Sequence, residues 1–142
     1  MKAALRALDG ASRLRPDAPT EAAHIATGRR GEDAAYFYLR ERGYTVVARN
    51  WRSRRRRGEI DLIAWDADVL CFIEVKTRST REVKPAEAAV DGDKQREIAA
   101  MARQYLRRRR GPMPAVRADV LSIYTDCNPP HITLFKDAFR LG

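Results

Sequence analysis

The chain has 142 residues, 44% of them hydrophobic, which suits one domain with a single core and requires no second one. A formal charge of +9 and a pI near 10.1 point to a polyanionic partner or an acidic membrane surface. No apolar run approaches the ~20 residues of a membrane-spanning helix, and MKAALRALDG has neither an uninterrupted apolar core nor a cleavage site of the secretory kind. With only Cys71 and Cys127, one of them inside a strand pattern, no disulfide framework is indicated, and a reduced cytoplasm is the simplest compartment.

Residues 1–20 hold a short amphipathic stretch at Ala3 to Leu8, broken by Ser12, Pro16, Asp17 and Pro19, and read as a mobile extension to a domain covering 21–142. Thr20 or Thr27 can cap a first helix that runs to about Arg42, with Gly43 suited to its left-handed end. On that helix Glu32 shares a face with Ala35, Tyr36 and Leu39, so a carboxylate on the core-facing stripe needs a partner; a different helix phase makes it the polar edge instead. Tyr44 to Arg49 predicts the first strand. Trp51-Arg52-Ser53-Arg54-Arg55-Arg56-Arg57 then puts five arginines in a loop, where guanidinium groups can hold phosphate oxygens in pairs. Trp51 can stack on an unpaired base or pack beside the strand.

Gly58 to Lys76, GEIDLIAWDADVLCFIEVK, carries the clearest strand signal and the most oddly placed charges. Ile60 to Ala64 and Val69 to Val75 are apolar runs joined by Trp65-Asp66-Ala67-Asp68, which predicts an antiparallel hairpin. Strand alternation puts Glu74 and Lys76 on one face, roughly 7 Å apart at ~3.4 Å per residue. Asp61 joins that face if the loop has an even number of residues. Pairing Ala64 with Val69, or Trp65 with Asp68, sets Asp61 opposite Phe72 and diagonal to Glu74; an odd loop sends it to the other face. Two carboxylates and an amine at a sheet edge suit a hydrated Mg²⁺ or Mn²⁺, with Lys76 orienting or deprotonating a water, as phosphodiester hydrolysis requires. In a chain that is 33% charged, Glu-x-Lys alone is a weak signal, and an ordinary surface ion pair is the alternative.

Thr77, Arg78, Ser79 and Thr80 make a polar exit from this strand that can touch phosphate, and Pro85 to Val90 a helical turn. Asp91 or Asp93 starts the most regular helix, with Ile98, Met101, Ala102, Tyr105 and Leu106 as its core stripe and Arg107 to Arg110 at the end where the dipole favours cations. Dipole pairing accounts for that run, so the Arg54 to Arg57 loop ranks above it for nucleic acid. Lys94 and Gln95 lie in the first turn, where a cation opposes the dipole and implies a nearby acid or phosphate. Val116 to Tyr124 and Ile132 to Phe135 predict two more strands around an Asp126 to Pro130 turn. Asp119 faces solvent on an edge, caps a local network or pairs with an arginine, and is not read as catalytic. His24 and His131 are too isolated for a zinc site.

Asp61, twelve residues, then Glu74-Val75-Lys76 resembles the D…(D/E)-x-K signature of the restriction-endonuclease-like superfamily, with Ile60 where a proline usually stands. More narrowly, Gly28-x-x-Gly31-Glu32, Asn50-x-Arg52, Gly58 to Ile63, Phe72-x-Glu74-Val75-Lys76-x-Arg78, Lys94 and Asp119-Val120 resemble the YraN family of small bacterial proteins over about residues 21–142. The resemblance implies an α/β fold, a restriction-endonuclease-like mixed sheet flanked by helices in the order α-β-β-β-α-β-β. It also implies a Mg²⁺-dependent nuclease on DNA, with branched DNA as the substrate class of similar small resolvases. Asp61 and Glu74 would bind metal with the Val75 carbonyl, Lys76 would activate water and Glu32 would support them. Arg52, Arg54, Arg55, Arg56, Arg57, Arg78 and Lys94 are the expected nucleic-acid contacts. The alternative from another class is a nucleic-acid-binding accessory protein that keeps the fold without cleaving, and charge alone leaves an RNA-binding module open. A homodimer, as a symmetric two-strand cut would need, or a protein partner supplying specificity completes the expected partners.

Overall fold

The computed structural model describes residues 21–55, 57–78 and 90–142, and the side chains from residue 29 onward within them. The elements run α1 (Glu21–Glu41), β1 (Thr45–Trp51), β2 (Ile60–Asp66), β3 (Val69–Arg78), α2 (Gly92–Arg108), β4 (Ala115–Tyr124) and β5 (His131–Phe139). This is the expected α-β-β-β-α-β-β order. The five strands lie in one sheet in sequence order, and only β3 and β4 pair in parallel, with α2 in the connection between them.

Alternation along the strands separates two apolar faces. Leu62, Ala64, Cys71, Ile73, Leu121 and Ile123 pack with Ala35 and Leu39 of α1. Ile63, Leu70, Phe72, Ala118 and Val120 point the other way and pack with Ile98, Met101 and Ala102 of α2. The sheet is therefore sandwiched, and β2, β3 and β4 read as nearly continuous apolar runs because both faces are covered.

The ends of the elements are fixed by local chemistry. Gly43 takes φ 86°, and the Arg42 and Gly43 amides donate to the last carbonyls of α1. Asp91 caps α2, its Oδ1 accepting from the Lys94 amide at 2.8 Å. Thr27 lies inside α1, which already begins at Glu21, so it is not the cap. The strands are longer than expected at β1 and β5, because each tolerates an irregularity that breaks simple alternation. β1 bulges at exposed Val47, and β5 carries extra residues at Asp137, φ 53°. The 1–20 extension, the turn expected over 85–90 apart from Val90, and Arg56, Ser79 and Thr80 lie outside the described residues.

Buried Asp119 belongs to that β5 irregularity. Arg117 donates to both of its oxygens, at 2.8 and 3.0 Å, and the Asp137 amide donates to Oδ1 at 2.9 Å. Arg117 also reaches Asp66 and the Tyr44 hydroxyl, tying β4 to the β2–β3 turn and the end of α1. Asp119 therefore caps a network and pairs with an arginine, two of its three readings.

Gly31 sets how closely α1 approaches the sheet. A Cβ there would overlap Thr77 Oγ1 of β3, and the adjacent residue in the helix is Glu32. Ala has the higher helix propensity by about 1 kcal/mol, but the overlap costs about 1–3 kcal/mol. Gly31→Ala should therefore lower stability in urea unfolding, whereas the same change in a Thr77→Ala background should raise it by up to about 1 kcal/mol.

Candidate functional site

The β2–β3 hairpin turns on Ala67 and Asp68 alone, with Ala67 at φ 53°, so Asp66 pairs with Val69 and Leu62 with Ile73. The loop is even, as the same-face placement of Asp61 demands. The register differs from the expected one by two residues: continued one step, it sets Asp61 opposite Glu74 itself instead of Phe72. The turn sits on Ala67-Asp68, one residue later than an Asp66-Ala67 turn, because Asp66 stays in the strand and pairs with Val69.

Backbone pairing stops at Leu62↔Ile73, and beyond it Asp61 Oδ2 accepts from the Val75 amide at 2.8 Å. A side chain thus takes the place of a ladder acceptor as the two strands part. In extended backbone a residue's N–H and C=O face the same neighbour, so the Val75 carbonyl is turned to this same edge. Asp61 and Glu74 are 8% and 7% exposed, unusual for carboxylates on adjacent strands. Burial first, then the Glu74 charge, push Asp61 up to about 7, against the lowering effect of the Val75 amide.

Glu32 arrives from α1. The Glu32, Glu59 and Asp61 carboxylates each offer an oxygen within 4.8 Å of the others. Asn50 spans two of them, its Nδ2 donating to Glu32 at 3.1 Å and to Glu59 at 3.2 Å. Burial raises the pKa of Glu32, the Asn50 hydrogen bond opposes this, and the Asp61 charge adds to it. Asn50 stands at φ 50°, a conformation this residue type tolerates. That bend takes Trp51 and its partner Ile60 out of alternation and into the α2-side cluster, where Trp51 packs edge-on to Tyr105 at 5.4 Å. Packing is thus the role the fold gives Trp51.

Among the described residues, the buried side-chain atoms without a hydrogen-bond partner are Glu74 Oε2, Arg78 Nε and Ser122 Oγ. Glu74 and Arg78 lie two residues on either side of half-buried Lys76, on its face of β3, and Ser122 is its β4 partner. The unpartnered atoms therefore belong to the strand neighbours of Lys76. Lys94 Nζ comes to 3.8 Å from Glu74 Oε2, an ion pair beyond hydrogen-bond length, and this is the acid its helix position implied.

The fold thus gathers Asp61, Glu74, Val75 and Glu32, with Lys76 on the Glu74 face and Lys94 at their rim. Arg52 is turned to this group through Glu59, at 2.9 Å. Arg54, Arg55 and Arg57 are exposed on the β1–β2 loop. Sequence reasoning left Glu59 and Asn50 without a role. Glu59 lies two residues before Asp61, just outside β2, and it meets Asp61 and Glu32 where alternation has already broken; the Asn50 bridge likewise depends on a local backbone bend, so neither was open to reading.

The family described as "Uncharacterised protein family UPF0102" matches residues 31–123. A UPF0102 protein of Koribacter versatilis is 49% identical over 124 residues, 87% of this chain and 86% of its own length. The chain belongs to the UPF0102 family. This is the family of the YraN resemblance. A UPF0102 protein of Solibacter usitatus is 48% identical over 72% of this chain and 77% of its own, and one of Rhodococcus opacus 43% identical over 82% and 98%. The UPF0102 match spans α1 from Gly31 through β4 to Ile123, and so contains Glu32, Asn50, Glu59, Asp61, Glu74, Lys76 and Lys94. No described helix is long and apolar enough to cross a membrane.

The raised Asp61 pKa has a signed consequence for stability. The native state retains this proton up to about pH 7, whereas the unfolded chain releases it near 3.8. Metal-free protein should therefore be most stable, as far as Asp61 is concerned, below that lower value and lose stability as pH rises between the two. The slope is at most about 1.4 kcal/mol per pH unit. Asp61→Asn should flatten urea-unfolding stability across this window, and an unchanged slope would show that Asp61 is not its source.

Proposed function

We propose that this UPF0102 protein is a Mg²⁺-dependent nuclease that hydrolyses DNA phosphodiester bonds, with branched DNA as the substrate class to test first. The observation that carries this reading is the buried Glu74 Oε2, which has no hydrogen-bond partner and lies at the strand fork beside Asp61 and two residues from Lys76. A buried, unsatisfied carboxylate oxygen is costly unless a cation completes its surroundings. The donors are all oxygens, which suits a hard cation such as Mg²⁺ or Mn²⁺ and does not suit zinc.

Asp61, Glu74 and the Val75 carbonyl would hold the ion, with Glu32 and Glu59 placed to hold its waters. When bound, the ion supplies charge stabilisation to the phosphoryl oxygens and to the attacking water. The Val75 amide fixes the orientation of Asp61. Asn50 fixes Glu32 against Glu59, and Arg52 neutralises part of the charge of Glu59. Lys76 orients the attacking water and, as a cation, offsets charge developing on the phosphate. Water adds to phosphorus, the ester oxygen leaves, and the proton of the water ends on the departing side or in solvent. Lys94 holds Glu74 before the ion arrives and is then free to meet phosphate.

The direct test incubates purified protein with single-stranded, duplex, flapped and four-way-junction DNA, with Mg²⁺, with Mn²⁺ and without either. Cleavage should require the ion and fall at least about a hundredfold in Asp61→Asn, Glu74→Gln and Lys76→Ala. DNA binding without metal should persist or tighten in the two carboxylate variants as negative charge is removed. Glu59→Gln should raise the Mg²⁺ concentration needed for half-maximal rate more than it lowers the maximal rate. Binding with no cleavage of any DNA form would favour the accessory-protein reading, and activity surviving all three site substitutions equally would be a contaminant.

A further inference from the structure

The two arginine runs, far apart in sequence, meet on the surface. Ser53, buried at the start of the β1–β2 loop, donates its hydroxyl to Gln104 Oε1 of α2 and accepts from the Arg55 amide at 3.2 Å. Gly58, at φ 95°, brings the other end of the loop so close to Glu97 of α2 that a Cβ would overlap its carboxylate. The loop is thus pinned to α2 at both ends, and Arg55 is carried to the last turn of the helix. There Arg55, Gln104, Arg107 and Arg108 line an open cavity of about 150 Å³.

The lining is donor-rich. Gln104 already spends its carbonyl oxygen on Ser53, which leaves its NH₂, and the other three groups are guanidinium forks. Among the described residues no carboxylate lines the cavity, and Arg108 rests over the Trp51 ring at 5.9 Å. The helix dipole accounts for Arg107 and Arg108. It does not account for Arg55, which comes from another element and adds a like charge to the same spot. Convergence of three cations from two elements is favourable when they share an anion, and guanidinium forks match phosphate oxygens in geometry.

We propose that Arg55, Arg107 and Arg108 form one pocket for a backbone phosphate of duplex DNA. Arg55 stands four residues before Glu59, so the chain places their Cα atoms at most about 14 Å apart. Side chains reach roughly 6 Å further at each end, so at 3.4 Å of rise per nucleotide along a strand the pocket holds a phosphate within about eight nucleotides of the bond at the fork. That spacing rests on the nuclease reading; the pocket itself does not.

The test measures fluorescence anisotropy of a labelled DNA duplex from 50 to 300 mM KCl without divalent metal. Arg55→Gln and Arg107→Gln should each weaken binding and reduce the log–log salt slope by about 0.9, the value of one duplex phosphate contact. Because both act on one phosphate, the slope loss of the double variant should be about that of either single and not twice it, and its affinity loss should fall short of the product of the two. Arg110→Gln, the same charge change outside the pocket, should have less than half the effect on affinity. Arg55→Lys keeps the charge and should keep the slope while losing affinity with the fork.

Additive slopes of about 1.8 in the double variant would mean two independent surface charges and would overturn the pocket. So would slopes unchanged in both singles, or a loss equalled by Arg110→Gln. A slope loss seen with single-stranded RNA of the same length and absent with the duplex would overturn the assignment to DNA. Cleavage is scored separately in the same preparations. Intact pocket behaviour with no cleavage would leave this proposal standing and sink the nuclease, and cleavage with flat salt slopes would do the reverse.

Discussion

The bond from the Val75 amide to Asp61 Oδ2 is where the sheet becomes a site. Two antiparallel strands cannot part without orphaning the amides and carbonyls that had faced each other, and a buried orphan amide costs about as much as a lost hydrogen bond. Asp61 solves this for Val75 by offering a carboxylate oxygen in place of a carbonyl. The strands can then diverge while both remain buried. The same substitution brings a negative charge to the base of the fork, directly across from Glu74, so strand geometry and site chemistry share one side chain.

What surrounds the fork follows from how near α1 can come. Gly31 lets the helix settle against Thr77, which delivers Glu32 to the Asp61 side, and the bend at Asn50 turns an amide toward both Glu32 and Glu59. α2 contributes from the other face, where its N-terminal Lys94 meets Glu74. The acids at the fork are thus oriented from three elements, β1, β3 and α2. A shift of either helix would change the spacing of the oxygens without altering the strands.

Much of this was legible from period alone. Alternation put Glu74 with Lys76, an even hairpin put Asp61 with them, and the helix stripe put Glu32 toward the core. The exact partner of Asp61 was not legible, because the choice between centring the turn on Asp66-Ala67 and on Ala67-Asp68 depends on whether Ala67 accepts a left-handed backbone at the first turn position, and the sequence pattern does not reveal that. The irregularities at Val47 and Asp137 were hidden for the same reason. The meeting of Arg55 with Arg107 was hidden for a different one: it depends on the Ser53–Gln104 tether, a contact between distant segments that no local periodicity encodes. Trp51, readable as a base-stacking residue, is turned to Tyr105 by the Asn50 bend.

Two buried acids in one sheet show how a structural carboxylate differs from one held ready for a ligand. Asp119, fully buried, accepts from both nitrogens of an arginine fork and from a backbone amide. Its charge is matched within the fold, and its removal would strand Arg117 with only Asp66 and Tyr44. Glu74 is nearly as buried, yet one of its oxygens has no hydrogen bond, its lysine stands off at 3.8 Å, and its nearest strand neighbour is another acid. A chain with 28 lysines and arginines does not lack cations with which to neutralise it. Arginines instead gather on the loop and at the end of α2, and Glu74 Oε2 keeps no hydrogen-bond donor among the described residues. Local deficit and global excess of positive charge suit opposite ligands, and the metal-assisted phosphodiester hydrolase proposed above needs both, a cation at the fork and phosphates around it.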